Sequence, residues 1–308
     1  MLRRIKFSLL VMGVLISLIS TCFSQENYSE AETEWNPPSA GPITASTAPL
    51  CEKSKLVIQP FFFYTDTRGV FDSDGHEDSL PAGDSQRQWL GQISLYYGIT
   101  EKLEIDVSTS YQENYVKQGG LSAGYGGIGD TCVTLKRCFC EENGRRPHIT
   151  GLLQIKAPTG QYQHAAPGKM GTDLTGSGSW DPGFGIVFTK KVKPFIFHAD
   201  AVYSIPQETT IDGVKTQYGN YFNYDFAVEY FFPKKGLNLM FEINGFKQGG
   251  TKEDGGKVAD SDSDSLAASA GFGWSNDTIQ TLFGYQKALA GKNTDVNDSV
   301  FLTCVYTF

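Results

Sequence analysis

The sequence predicts an all-β protein: a transmembrane antiparallel β-barrel of about twelve strands with up-and-down topology. Three observations predict it. Apolar or aromatic side chains recur at every second position near the carboxyl terminus, the period of a strand with one apolar face; they are Val300, Leu302, Cys304, Tyr306 and Phe308. From Lys55 onward the chain is a series of about twelve alternating runs separated by turns. Short and long connections alternate along most of that series, as they do in membrane barrels.

The amino-terminal residues have the layout of a secretory signal peptide. Arg3, Arg4 and Lys6 precede an apolar run over residues 9–19, and small or polar residues follow. The run is shorter than the roughly 20 residues of a comfortable membrane helix. We expect a signal peptide over residues 1–24, cleaved after Ser24. An alternative is lipidation at Cys22, because residues 19–22 resemble a lipoprotein box.

The next segment lacks any periodicity and is rich in Pro, Gly, Ser and Thr. Such composition favours a flexible leader, which we place at residues 25–53. The barrel then occupies residues 54–308 and forms a single domain.

The clearest strand lies over residues 103–112, where apolar and polar side chains alternate strictly. Alternation alone is equally compatible with a soluble β-sandwich. The connections favour the barrel, because short turns on one side and long loops on the other are typical of outer-membrane barrels. The short links are 100–102, 190–193, 233–236 and 276–278, and the long ones are 66–85, 159–176 and 248–262. We expect the long loops to control access to the lumen.

Charge and composition exclude some functions. The 34 acidic residues outnumber the 26 basic ones, which argues against a nucleic-acid partner. A mean hydropathy of −0.26 does not exclude a membrane barrel, since lipid-facing and lumen-facing residues average out. Beyond the signal peptide an odd number of cysteines remains, with pairing left open between disulfides and free thiols; they are Cys51, Cys132, Cys138, Cys140 and Cys304.

The strand phases predict which charged side chains line the lumen. The candidates are Glu104, Asp106, Asp130, Lys136, Lys156, Asp181, His198, Asp200, Asp225, Glu229 and Glu242. An excess of inward carboxylates favours cations. The alternative is a polar network that plugs a narrow barrel. No catalytic residue, metal site or cofactor is predicted.

Two apparent motifs carry little weight. His198 shares its predicted inner face with Asp200 and Ser204, which allows a barrel lipid hydrolase as an alternative, although no nucleophile motif or oxyanion site accompanies it. Residues 124–129 fit a Gly-x-Gly-x-x-Gly spacing, but a strand rather than the required helix follows. The acidic runs 72–74 and 260–264 are interpreted as solvated loops.

Three glycine-rich segments sharpen the interpretation: 126–130 opening a strand, 155–160 closing one, and 176–183 opening the next. In this order and spacing they resemble the outer-membrane family known as "MetA-pathway of phenol degradation". The resemblance covers most of the chain from about Leu56. It implies a barrel with a role in uptake of small aromatic or apolar compounds, and it supplies no catalytic residues.

The carboxyl terminus carries a further resemblance. Tyr306 and the terminal Phe308 are similar to the barrel-closing signal of bacterial outer-membrane proteins. We therefore expect a location in the outer membrane of a Gram-negative-type bacterium, with outer-membrane lipid, the barrel assembly machinery and a small solute as partners. The predicted function is passive passage of that solute. The alternatives are a structural or adhesive barrel with a plugged lumen, and the lipid hydrolase.

Overall fold

The structure is a computed structural model that describes residues 35–37, 39, 41–232, 236–276 and 278–308. The signal peptide and the lipoprotein alternative both fall on residues 1–24, which lie outside the described residues, so both remain predictions.

Twelve long strands form the wall, and we number them β1 to β12 along the chain. They are β1 Leu56–Phe71, β2 Ser85–Thr100, β3 Leu103–Gln118, β4 Thr131–Cys140, β5 His148–Ala157, β6 Asp181–Val192, β7 Phe195–Ser204, β8 Tyr221–Phe231, β9 Leu237–Gln248, β10 Ser263–Ser275, β11 Ile279–Lys292 and β12 Thr294–Thr307. Each pairs antiparallel with its neighbours in chain order, and β12 pairs with β1. The prediction of a closed, up-and-down barrel of about twelve strands is confirmed.

The alternation at the carboxyl terminus has the predicted meaning. On β12, Leu302 is 50% exposed, whereas the intervening Phe301 and Thr303 are buried. Similar exposed apolar side chains continue around the outer surface, including Trp89 and Phe241. Such an apolar outer band is what a barrel presents to lipid. Within the described residues, no helix has the length and apolar character to cross a membrane.

The two ends of the barrel differ as predicted, with two departures. β1 begins and β12 ends on the side of the barrel that has the short turns, and we take that side as periplasmic. At the opposite end, a long connection over residues 205–220 was not foreseen. The link between β11 and β12 there is a single residue, Asn293, with a positive φ of 48°. The simple rule of long outer loops therefore fails at one hairpin.

Additional short strands lie above the wall. The strand Leu121–Ile128 pairs with the upper part of β3. Above the barrel, Thr209–Ile211, Val214–Gln217, Lys252–Glu253 and Gly256–Lys257 form a four-stranded sheet from two different loops. We call this small sheet the cap.

The part of the predicted leader that the structure describes lies inside the barrel. Residues 41–52 do not extend freely; they contact the inner faces of the strands, and Ile43 and Ala48 are buried. Glycine at position 98 lets this segment pass close to the backbone of β2, since a Cβ there would lie 2.1 Å from the carbonyl oxygen of Glu52. We call the described residues from 35 to 52 the plug. The domain boundaries at 24 and 53 remain predictions.

Candidate functional site

The charged side chains predicted to line the lumen lie on strand positions, except Asp130, which directly precedes β4. Most are buried, while three are half-buried: Asp130, Lys156 and Asp225. The cause is the period of two along each strand, seen on β7, where His198 and Asp200 are buried between half-buried neighbours. These residues consequently share one interior.

Two lysines neutralise part of the carboxylate excess. The Lys136 ammonium lies 3.3 Å from a Glu104 oxygen and 2.8 Å from an Asp106 oxygen. Near the other end, Lys156 lies 2.5 Å from Asp181 and 3.7 Å from Asp130. A buried charge needs such compensation. These carboxylates are therefore paired and do not form an open ring that meets a passing cation.

Other inward carboxylates hold the plug through its backbone. Glu242 accepts hydrogen bonds from the amides of Ile43 and Thr44, the latter at 3.0 Å. Asp200 accepts one from the Ser46 amide at 2.7 Å. These carboxylates take the place of strand partners for the backbone of the plug. Hydrogen bonds to a carboxylate are stronger than those between neutral groups, so they hold the plug firmly. The sequence patterns did not indicate that these carboxylates hold the plug.

Two apolar contacts anchor the plug as well. Ile43 packs with Met240, Leu282 and Phe301, which come from three strands on one side of the lumen. Ala48 packs on the opposite side with an apolar set of Leu152, Val187 and Val202. Burial of the Ile43 side chain contributes about 1.5–3 kcal/mol, and that of the Ala48 methyl contributes less. The plug therefore spans the lumen between two apolar contacts.

His198 lies in a buried line of polar groups. Its Nε2 is 2.8 Å from Glu229, and its Nδ1 is 3.1 Å from the Thr189 hydroxyl. An acid, an imidazole and a hydroxyl in line resemble a hydrolase arrangement. However, the Thr189 oxygen already accepts the Ala48 amide at 2.9 Å, and all three side chains are buried. Asp200 and Ser204, the partners that the sequence suggested, do not contact this histidine among the described hydrogen bonds.

The three glycine-rich segments converge at the extracellular end of β4 and β5. The Asp130 carboxylate accepts hydrogen bonds from the amides of Gly160 at 3.1 Å and Ser177 at 2.9 Å. A Cβ on Gly176 would lie 2.5 Å from an Asp130 oxygen, so a side chain there would displace the contact. Asp130 thus fastens both ends of the long loop between β5 and β6.

This region also contains a break in the backbone ladder. β4 pairs with both β3 and β5, but the strand Leu121–Ile128, which precedes it in the chain, pairs with β3 alone among the described strands. Carbonyl groups of this strand, and that of Gly129 directly after it, accept hydrogen bonds from side chains of the long loop instead. Thr175 donates to Ile128 at 2.7 Å, Thr159 to Gly129 at 2.8 Å and Lys169 to Gly124 at 3.2 Å. We call this boundary the seam.

An apolar groove of about 360 Å³ lies on the outer wall next to the seam. Its lining includes Phe62, Gly91, Ile93, Tyr111 and Ile128. Since Ile128 is also the last residue of the seam strand, the groove and the seam are continuous.

The long loop is linked to the cap. The Gln163 side chain donates to the carbonyl of Thr210 at 2.7 Å, and the His164 amide donates to the Asp212 carboxylate at 2.8 Å.

Elsewhere at this end, Asp72, Asp74 and His76 bring potential ligand atoms together in an exposed turn. Hydrogen bonds from the backbone of His76 lower the pKa of Asp72, which stabilises this turn. The sequence had suggested only a solvated acidic loop here.

The described part of the chain contains no disulfide. Cys51, Cys132, Cys138, Cys140 and Cys304 are free. Of the two readings left open by the sequence, the structure has the free thiols.

A closed barrel with an apolar outer band and a polar interior defines the class: this is a bacterial outer-membrane β-barrel, located in the outer membrane of a Gram-negative-type bacterium. Residues 78–303 match the family described as "Putative MetA-pathway of phenol degradation", and the chain belongs to that family. The resemblance inferred from the glycine-rich segments is confirmed.

Solved structures share the fold. The COG4313 outer membrane channel from Pseudomonas putida F1 is 13% identical, with a TM-score of 0.72 over 86% of this chain and 100% of that one. The translocator domain of the autotransporter NalP from Neisseria meningitidis is 9% identical, with a TM-score of 0.46 over 97% and 95% of the two chains. The CymD monoaromatic hydrocarbon channel is 9% identical, with a TM-score of 0.42 over 83% and 88%. The last two scores are too low to support an argument. No curated protein matches by sequence.

Proposed function

We propose that this barrel lets a small apolar or aromatic solute cross the outer membrane passively, and that the solute passes through the seam. The observation that carries the proposal is the replacement of a backbone ladder by three side-chain hydrogen bonds in one section of the wall. A section held by side chains separates without breaking a row of backbone pairs. The plug supports the same route, because it occupies the axial path that a polar solute needs.

The outer groove fits this route. An apolar compound in the lipid layer has an apolar surface next to the seam on which to lie, lined by Phe62, Tyr111 and Ile128. The Pseudomonas putida F1 protein that shares this fold is an outer membrane channel, which agrees with passage as the function. No enzyme activity is proposed, since the one line of acid, imidazole and hydroxyl is filled by the Ala48 amide.

The experiment is uptake of N-phenyl-1-naphthylamine, an apolar fluorescent ring compound, by cells whose outer membrane has intact lipopolysaccharide. Cells that produce the protein should take up the probe faster than cells that produce none. Equal rates from cells with the same amount of folded barrel would contradict the proposal. They would favour the alternative of a structural or adhesive barrel, which the occupied lumen also fits.

A deletion of residues 41–50 separates the two routes. It removes Ile43 and Ala48, the apolar contacts of the plug. Single-channel conductance in a planar bilayer should rise several-fold, because the polar lumen fills with water. Probe uptake should change less than conductance, since the seam is unaltered. A deletion that multiplies both equally would indicate an axial path.

A further inference from the structure

A cavity of about 910 Å³ lies beside the plug in the periplasmic half of the barrel. The plug forms one wall, and the inner faces of β1 and β2 form much of the other. Its volume is within the range of small-molecule sites, roughly 300–1,000 Å³. Together with the seam at the other end, it gives the interior a second place where a solute can reside.

Aromatic rings line this cavity on the β1 side. Phe61 and Phe63 are two residues apart on the inner face, with ring centroids 5.9 Å apart and planes 16° from parallel. Phe63 also lies 6.0 Å from the ring of Phe301. Barrel interiors are usually polar. Two neighbouring inward rings at an open cavity therefore provide a surface for another ring.

Hydrogen-bonding groups face the same space. Gln59, Gln92 and Tyr96 all line the cavity, and the Tyr96 hydroxyl donates to Gln59 Oε1 at 3.1 Å. Lys136 lies beneath, with its ammonium 5.4 Å from the centre of the Tyr96 ring. The amide nitrogens already have partners, since Gln59 Nε2 donates to Thr303 at 3.3 Å and Gln92 Nε2 donates to Ser94 at 3.2 Å. Among the described hydrogen bonds, the side-chain carbonyl of Gln92 is left as an acceptor for a ligand hydroxyl.

The Lys136 ammonium on this wall is shared by two carboxylates. Lys136 contacts both Glu104 and Asp106, so its positive charge has no share left for a ligand carboxylate. Two other lysines line the cavity at its periplasmic mouth, where Lys191 binds the Asn36 side chain at 2.6 Å and Lys55 is exposed. An anion that left water for the inner wall would lose solvation without gaining a free cation.

We propose that the cavity binds a neutral hydroxylated ring compound of the phenol type and discriminates against its carboxylate analogue. The ring lies against Phe61 and Phe63, and the hydroxyl donates to the side-chain carbonyl of Gln92. This inference rests on the proposed passage of ring compounds and assigns them a binding site on the way to the periplasm.

The test is equilibrium binding of 2-naphthol, neutral at pH 7, and of 2-naphthoate, an anion, to the full barrel in lipid nanodiscs. Phe61→Ala removes an inward ring that is not part of the apolar cluster around Ile43. Phe241→Ala is the matched control, because that ring on β9 is 61% exposed on the outer surface, away from the cavity and the groove. We expect saturable naphthol binding that weakens about tenfold in Phe61→Ala and is unchanged in Phe241→Ala. Naphthoate should not saturate.

Equal naphthol binding by the wild type and Phe61→Ala would overturn the inference, as would naphthoate binding as tight as naphthol. If Phe61→Ala fails to give a folded barrel, Phe61→Leu keeps an apolar contact and removes only the ring. The probe uptake described above is independent of this measurement. Uptake without ring-dependent binding would refute the site and leave the function, whereas binding without uptake would refute the function and leave the site.

Discussion

The barrel wall is closed in two places by different chemistry. Between β12 and β1, a backbone ladder runs from Val57 opposite Thr307 to Phe71 opposite Thr294, with one irregularity between Thr67 and Gly69. At the seam, the strand Leu121–Ile128 is joined to the long loop by side-chain hydrogen bonds. Both boundaries satisfy polar backbone groups, which a wall in lipid requires.

The difference teaches which boundary can open. Separating a ladder exposes a row of amides and carbonyls to lipid at once, and each unsatisfied group costs several kcal/mol. Separating the seam breaks three hydrogen bonds whose donors are side chains of a loop. The closure between β12 and β1 is therefore stable, and the seam is the section of wall suited to transient opening.

The largest expected effect comes from breaking the ladder. Leu302→Pro removes a backbone donor from β12, whose neighbours β1 and β11 lie on either side. The acceptor left unsatisfied in the wall should cost several kcal/mol. On a gel of unheated outer membranes, the band of the folded barrel, which shifts on heating, should disappear. Leu302→Ala is the control and should retain the band, because it shortens only an outward side chain. A normal band from Leu302→Pro would show that this closure tolerates the loss of a pair.

The next effect comes from the fastening of the seam. Asp130→Asn weakens charge-assisted bonds to Gly160 and Ser177, each worth roughly 1.5–3 kcal/mol. The barrel should still assemble, and N-phenyl-1-naphthylamine uptake should rise several-fold, because both ends of the long loop are loosened.

The ladder side offers a matched control for that variant. Asp298 on β12 contacts Arg68 at 2.7 Å, and Asp298→Asn also removes one carboxylate charge. Uptake should match the wild type, since an exposed ion pair contributes little. Equal increases from both variants would mean that the two boundaries do not differ.

The sequence predicted the ladder far better than the seam or the plug. β12 shows its inner and outer faces through a period of two that is local to the strand. The plug does not, because Thr44 and its acceptor Glu242 are 198 residues apart, and nothing near either residue signals the pair. The glycines at 160 and 176 were visible as a motif, but their convergence on Asp130 depends on the closed fold.

A smaller effect is expected from single hydroxyls of the seam. Thr159→Val and Thr175→Val each remove a donor to a strand carbonyl, worth about 0.5–1.5 kcal/mol. Each should raise probe uptake less than Asp130→Asn does, and the pair together should approach it. Thr65→Val is the control on the ladder side, where the Thr65 hydroxyl is 2.8 Å from Ser299. A rise in uptake from the control alone would contradict the assignment of the seam.

The smallest effect concerns the loop between β9 and β10, which the sequence predicted to control access. A hydrogen bond from Lys292 at 2.7 Å lowers the pKa of Asp262 below its ordinary value of 3.8. With a depressed pKa, the contribution of this pair is complete at neutral pH and is lost only as the pH falls through that lowered value. Probe uptake by the wild type and by Asp262→Asn should therefore be the same and constant from pH 7 to pH 5. Suppose instead that wild-type uptake changes between pH 7 and pH 5 and that Asp262→Asn abolishes the change. That result would show that this loop also controls access, and the seam would no longer differ from the rest of the wall.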